Sequence, residues 1–143
     1  MSRTVRVGHL SDTHFLEPDE GPEGGHGYDT SAAFEAVVEH LGDHDHLDLV
    51  VVTGDVADHG RPEQYEIAAA AFDRFNVGVH VCPGNHDLVA PFRAGIDGGG
   101  VVASRSVEIG AWAFLFVDSN SGRMVEDGSG QLVDPPGEKR LHA

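Results

Sequence analysis

A chain of 143 residues with 40% hydrophobic content can enclose one hydrophobic core but not two sizeable ones, so a single domain over 1–143 is the expected organisation. Against 24 acidic residues stand 9 basic ones, a formal charge of −15, which repels a nucleic-acid polymer and an anionic membrane surface alike. The lone cysteine, Cys82, excludes an internal disulfide framework; with no signal-peptide core near Met1 and no apolar run of about 20 residues, a cytoplasmic chain without membrane contact is expected.

In chain order, "TVRVGHL" (4–10) reads as a strand ending at Ser11 and Asp12. Segment 17–29, rich in Gly, Pro and acids, reads as an exposed and mobile loop, either substrate-facing or a plain solvated connection. Asp29, Thr30 or Ser31 can cap a helix in which Phe34, Val37, Val38 and Leu41 recur at helical spacing and Gly42 supplies the stop. The near-continuous apolar run "LDLVVVTGD" fits a strand covered on both faces. Pro62 suits the first turn of a second helix over 63–75, and "VGVHVC" is the third strand. The order β-α-β-α-β predicts a parallel sheet whose ligands bind beyond the carboxyl ends of its strands. Beyond Asp87, "GGGVVASRSVEI" and "AWAFLFVDSN" read as two strands joined near Gly110, an antiparallel hairpin added to that sheet. The rest is mostly loop, with Pro135 and Pro136 leading into the first turns of a helix.

Three strands end in metal-ligand residue types: "SDTH", "GDVAD" and "GNHD". Parallel strands bring their carboxyl ends together, so Asp12, His14, Asp55, Asn85 and His86 should meet in one crevice. Asp12 and His14 are expected to share a side, as positions i and i+2 of extended chain. Carboxylates, imidazole and an amide oxygen without thiolate suit Mn, Fe or Zn, and argue against a closed structural zinc site. On the central strand Asp55 can bridge two ions about 4 Å apart. Two divalent ions against two carboxylates leave a surplus of about +2, which attracts a phosphate despite the acidic surface.

"D-x-H" at 12–14, "G-D-x-x-D" at 54–58 and "G-N-H-D" at 84–87 resemble, in order and spacing, the first three signatures of the calcineurin-like metallophosphoesterase superfamily. The wording is most similar to its class III cyclic-nucleotide phosphodiesterase branch. The resemblance implies an α/β/β/α sandwich, of which the first β-α-β-α-β half and a hairpin are represented. It implies a phosphodiesterase or phosphatase acting on a small phosphate ester such as a cyclic nucleotide, by means of two divalent or trivalent ions and a metal-bound hydroxide. Asp12 and His14 would bind the first ion, Asp55 would bridge and Asn85 would bind the second. His14, Asp55, Asn85 and His86 would line the substrate position, with His86 touching the phosphate and protonating the leaving group. Asp87 would orient the His86 ring and raise its pKa, and Asp58 would be an acid behind the ligands; for both, a turn or cap carboxylate is the competing reading.

Family members continue with a lone histidine and then a Gly-His-x-His signature, and these 143 residues stop before them, with His142 not assumed to substitute. The side chains present supply about five metal bonds, whereas two ions need roughly ten to twelve, so the second site is expected to be incomplete. An apolar sheet face is expected to lie bare, with poor solubility, oligomerisation or dependence on a missing C-terminal half as consequences. The alternative is a non-catalytic module of the same fold that binds a partner or one weakly held metal. Other histidines carry less: His40, His44 and His46 read as solvated surface, His9 and His80 as sheet residues, His26 as loop and His142 as a frayed end. His59 either lines the crevice or is a turn residue, and 118–120 reads as a strand-to-loop turn.

Overall fold

Four strands lie side by side in sequence order, β1 (Val7–Leu10), β2 (Leu49–Thr53), β3 (Val79–Cys82) and β4 (Val101–Val102), and every pairing is parallel. This computed structural model describes residues 4–20, 29–42, 46–96, 101–102, 106–117, 125–126 and 132–133. Helices α1 (Thr30–Gly42), α2 (Pro62–Phe72) and α3 (Val89–Ile96) make the three crossovers. Because each crossover joins adjacent strands in one direction, right-handed connections put all three helices on one face of the sheet.

Strand alternation then decides which side chains meet the helices. Val50, Val52, Val79 and Val81 are buried in one core with Phe34 and Val38 of α1, Tyr65, Ala68 and Phe72 of α2, and Phe92 and Ile96 of α3. The alternate positions, Val7, His9, Val51, Thr53 and Cys82, line a cavity of about 670 Å³ beneath Phe114–Val117. The hairpin β5 (Ser106–Ile109) and β6 (Trp112–Leu115), which turns at Gly110 with φ 62°, forms the other side of that cavity. Trp112, Leu115 and Val117 of the hairpin segment stay 52%, 76% and 75% exposed.

Local chemistry sets the helix ends. Of the three cap candidates Asp29 is the one used: its Oδ1 accepts the Ala32 N–H at 2.9 Å. Helix α2 starts at Pro62, where a missing N–H costs nothing, but closes three residues before the expected Phe75. There the chain tightens, with Arg74 and Phe75 N–H groups donating three residues back to Ala71 and Phe72.

Several expectations need correction. Helix α3 was not foreseen, since Pro91 and Gly95 both count against a helix. Pro91 falls in the first turn, and Gly95 is where α3 touches α2: a Cβ there would lie 2.5 Å from the Tyr65 Cβ. The run 98–109 is not one strand; Val101–Val102 pairs with β3, whereas Ser106–Ile109 pairs with β6. The hairpin is a sheet of its own and not an extension of the parallel one. Val125–Glu126 (β7) and Leu132–Val133 (β8) pair antiparallel within what reads as loop. Of segment 17–29, residues 18–20 form a short 3-10 turn, and Glu17 and Glu20 are half-buried. Residues 21–28, His44, residues 118–120, Pro135, Pro136 and His142 lie outside the described residues. No helix among the described residues is long and apolar enough to cross a membrane.

Candidate metal centre

Past their last paired residues, the chains leaving β1 and β2 stay zipped together. Asp12 N–H donates to Gly54 O (3.1 Å), His14 N–H to Asp55 O (2.9 Å), Phe15 N–H to Val56 O (2.8 Å), and Asp58 N–H to Phe15 O (3.1 Å). Within this zipper Asp12, His14 and Asp55 have φ of 56°, 43° and 48°, the left-handed region that side chains with a Cβ avoid. Asp12 and His14 therefore do not share a side through extended alternation. Each is turned by a strained backbone, at a cost of about 1–3 kcal/mol per residue.

The turning brings the donors together. Ligand atoms of Asp12, His14 and Asp55 all lie within 4.8 Å of one another, and those of His14, Asp58 and His86 form a second such group. His14 Nδ1 is 2.9 Å from Asp58 Oδ1, and both side chains are buried. Facing a carboxylate, Nδ1 carries the proton, so Nε2 is the lone-pair nitrogen, the one available to a metal. Asp58 thus sits directly behind the His14 ring. Ser11 Oγ donates to Asp12 Oδ2 and braces that carboxylate. Asp12, His14 and Asp55 are an oxygen and nitrogen set that fits a divalent ion.

The end of β3 is fastened to the same zipper. His86 N–H donates to Asp55 Oδ1 (2.9 Å), and His86 Nδ1 donates to the Asp58 carbonyl (2.7 Å), leaving its Nε2 as acceptor. The His14 and His86 rings meet edge to face with centroids 4.8 Å apart. Asn85 is half-buried between Gly84 and His86, whose N–H groups are both bonded to carboxylates, so its position is fixed from either side.

Asp87 does something other than expected. Its buried carboxylate accepts N–H groups of Val56 (3.1 Å), Ala57 (3.1 Å) and Gly84 (2.8 Å) and the Tyr65 hydroxyl (3.0 Å), and none of these donors is His86. It ties the ends of β2 and β3 together, and the ring of His86 is oriented by the Asp58 carbonyl instead. Burial pushes the Asp87 carboxyl up, against the opposing pull of its N–H donors. The Tyr65 phenol is likewise raised, by burial and then by the Asp87 charge.

A family model, calcineurin-like phosphoesterase, matches residues 5–133. The chain belongs to that family. It is 28% identical over 117 residues to a 3',5'-cyclic-nucleotide phosphodiesterase of Nostoc sp., covering 81% of this chain and 43% of the relative. To the 3',5'-cyclic adenosine monophosphate phosphodiesterase CpdA of Escherichia coli it is 31% identical over 117 residues, 80% of this chain and 42% of that one. To the glycerophosphodiester phosphodiesterase GpdQ of Enterobacter lignolyticus it is 37% identical over 87 residues, 60% of this chain and 31% of the relative. The chain thus spans less than half the length of these curated relatives.

In this calcineurin-like phosphoesterase chain the glycines of the motifs are geometric necessities. Gly54 has φ 90° and faces Gly84 so closely that a Cβ on it would lie 2.8 Å from the Gly84 Cα. A Cβ on Gly84 would sit 2.3 Å from Asp55 Oδ1, so either substitution forces the ends of β2 and β3 apart. Sequence reading missed Tyr65 and the polar group of Glu17, Glu20, Arg61 and Gln64 beside the zipper. Tyr65 was hidden by its fit to an apolar helix face, and the others by the 41 to 44 residues separating each pair. Of the other histidines, His40 and His46 are exposed, His9 Nε2 pairs with Thr53 Oγ1 at 2.7 Å, and His80 stacks on Phe116.

Proposed function

We propose that this chain carries the primary metal-binding part of a metal-dependent phosphoester hydrolase. Asp12, His14 and Asp55 would hold one ion, and Asp55 with Asn85 would reach toward a second. The observation that carries this reading is the convergence of the Asp12, His14 and Asp55 donors within 4.8 Å, with Asp58 fixing the His14 tautomer. A bound divalent ion supplies a Lewis acid for phosphoryl oxygens and lowers the pKa of water.

The chain's own residues supply the rest. His86 holds its proton-bearing Nδ1 against a carbonyl, so Nε2, once protonated, faces a phosphate ester and gives its proton to the leaving oxygen. The Asp55 carboxylate, accepting the His86 N–H, keeps proton donor and ligand in one rigid piece. The relatives named for cyclic-nucleotide phosphodiesterase activity and the class III wording of the motifs support a cyclic nucleotide as substrate, and manganese or iron as metal. A second reading, binding without turnover, is favoured by the donor count: among the described residues both candidate groups use His14, so they serve one ion at a time.

Calorimetric titration with Mn2+ and hydrolysis of a chromogenic phosphodiester test both readings on this chain and its His14→Ala and His86→Ala forms. Binding lost with His14→Ala, and turnover but not binding lost with His86→Ala, is the expected result. One ion bound with no turnover in the parent selects the binding module. No binding at all sinks the metal assignment.

A further inference from the structure

The segment leaving β1 is tied to the start of α2 by a closed ring of polar contacts. Arg61 Nη1 donates to Glu17 Oε2 (2.8 Å) and to Glu20 Oε1 (2.7 Å). Gln64, fully buried, donates from Nε2 to Glu20 Oε2 (3.0 Å) and accepts on Oε1 the N–H groups of His59 (2.9 Å) and Arg61 (3.4 Å). The Glu17 N–H closes the ring on Glu20 Oε2 at 3.0 Å. The contacts then continue inward. His59 Nε2 lies 3.4 Å from Glu20 Oε1 and 3.4 Å from Asp58 Oδ2, and the other Asp58 oxygen is the one on His14 Nδ1.

Arg61 lets this ring exist. Glu17 and Glu20 retain only 14% and 18% of their side-chain exposure, and two half-buried carboxylates side by side repel unless a cation lies between them. The guanidinium reaches both from one nitrogen, which fixes the 17–20 segment against the 59–64 turn. A partly exposed ion pair is worth only about 0–1 kcal/mol in stability. Its larger effect is geometric: the turn it fixes begins at Asp58, and Asp58 orients His14.

We propose that Arg61 is a positioning residue for the metal centre. Through Glu20 and the 58–61 turn it keeps the Asp58 carboxylate on His14 and holds His14 in one ring orientation and one tautomer. The proposal builds on His14 as a metal ligand, but the state of the ring is read without metal.

Nitrogen-15 NMR of the histidine rings in the metal-free chain, at a pH where they are neutral, is the first measurement. The parent and Arg74→Leu should show His14 as a single Nδ1–H tautomer; Arg74, just past α2, pairs with Glu35 of α1 and takes no part in the ring. In Arg61→Leu the two ring-nitrogen shifts should move toward each other as the tautomers mix, and Arg61→Lys should lie between. Mn2+ affinity by calorimetry should fall about tenfold in Arg61→Leu, the low end for a group behind a metal ligand, and stay unchanged in Arg74→Leu. A His14 tautomer indifferent to Arg61→Leu overturns the proposal, even if Mn2+ binds. Dependence of that tautomer on Arg61 in a parent that binds no Mn2+ upholds it and defeats the metal reading alone. Should Arg61→Leu fail to fold, Glu20→Gln, which keeps the shape and loses the charge, is judged by the same criterion.

Discussion

The two faces of the parallel sheet are built to different rules. Toward the helices, Phe15, Phe34 and Phe72 meet edge to face in a closed core. Toward the hairpin, His9, Val51, Thr53 and Cys82 border an open cavity under partly covered apolar residues. The strand-end site is anchored from the helix side, since Tyr65 projects from α2 to Asp87 and Asp87 grips the turns that carry Asp55 and Asn85. The difference teaches that the site is anchored from the finished face.

The sharpest break of that contrast is a pair of truncations. Phe72→Ala should cost about 3–5 kcal/mol in urea unfolding, whereas Leu115→Ala should stay within about 0.5 kcal/mol; equal losses would erase the distinction between the faces. Next comes Asp87→Ala, which leaves three N–H groups without their acceptor and should cost about 3 kcal/mol. If Asp87 acted on His86 instead, that variant would lose turnover and keep its stability. Gly84→Ala should cost about 1–3 kcal/mol and also abolish Mn2+ binding, because the added methyl lands on the Asp55 carboxylate. Retained binding would show that the strand ends can part.

The smallest effect belongs to the open face. Burial holds the His80 imidazole below its ordinary pKa of 6.5, and the ring stacks on Phe116 at a centroid distance of 5.8 Å. The unfolded chain therefore takes up a proton before the folded one. The contribution of the neutral ring is complete above about pH 6.5 and is lost as pH falls below it. A urea midpoint that drops on acidification in the parent, and drops less in His80→Phe, is the expected result; identical profiles would free the hairpin end from any dependence on His80.

The clustering of Asp12, His14 and Asp55 was legible because it depends on residue type and on a position just past a strand, both of which sequence displays. The first three strands and the two helices between them followed from periodicity. Helix α3 did not, because its stability comes from Phe92 and Ile96 packing into the shared core and from Gly95 fitting against Tyr65, none of which is local. Asp87 was misread for a related reason. A carboxylate next to a histidine in sequence suggests a dyad, but among the donors that claimed it are two backbone groups about 30 residues away and a tyrosine hydroxyl 22 away. The Arg61 ring was invisible because charges on two separate loops give no periodic signal.

The left-handed backbone at Asp12, His14 and Asp55 has an evolutionary corollary. At such angles glycine, or asparagine, would sit with less strain than the residue present. Selection for thermal robustness alone would thus erode all three positions, and their retention as aspartate and histidine would have to be enforced by what they hold. These residues mark where stability and utility pull in opposite directions, and a thermostabilised descendant that kept its chemistry should have gained its margin in the helix layer, with these three angles left untouched.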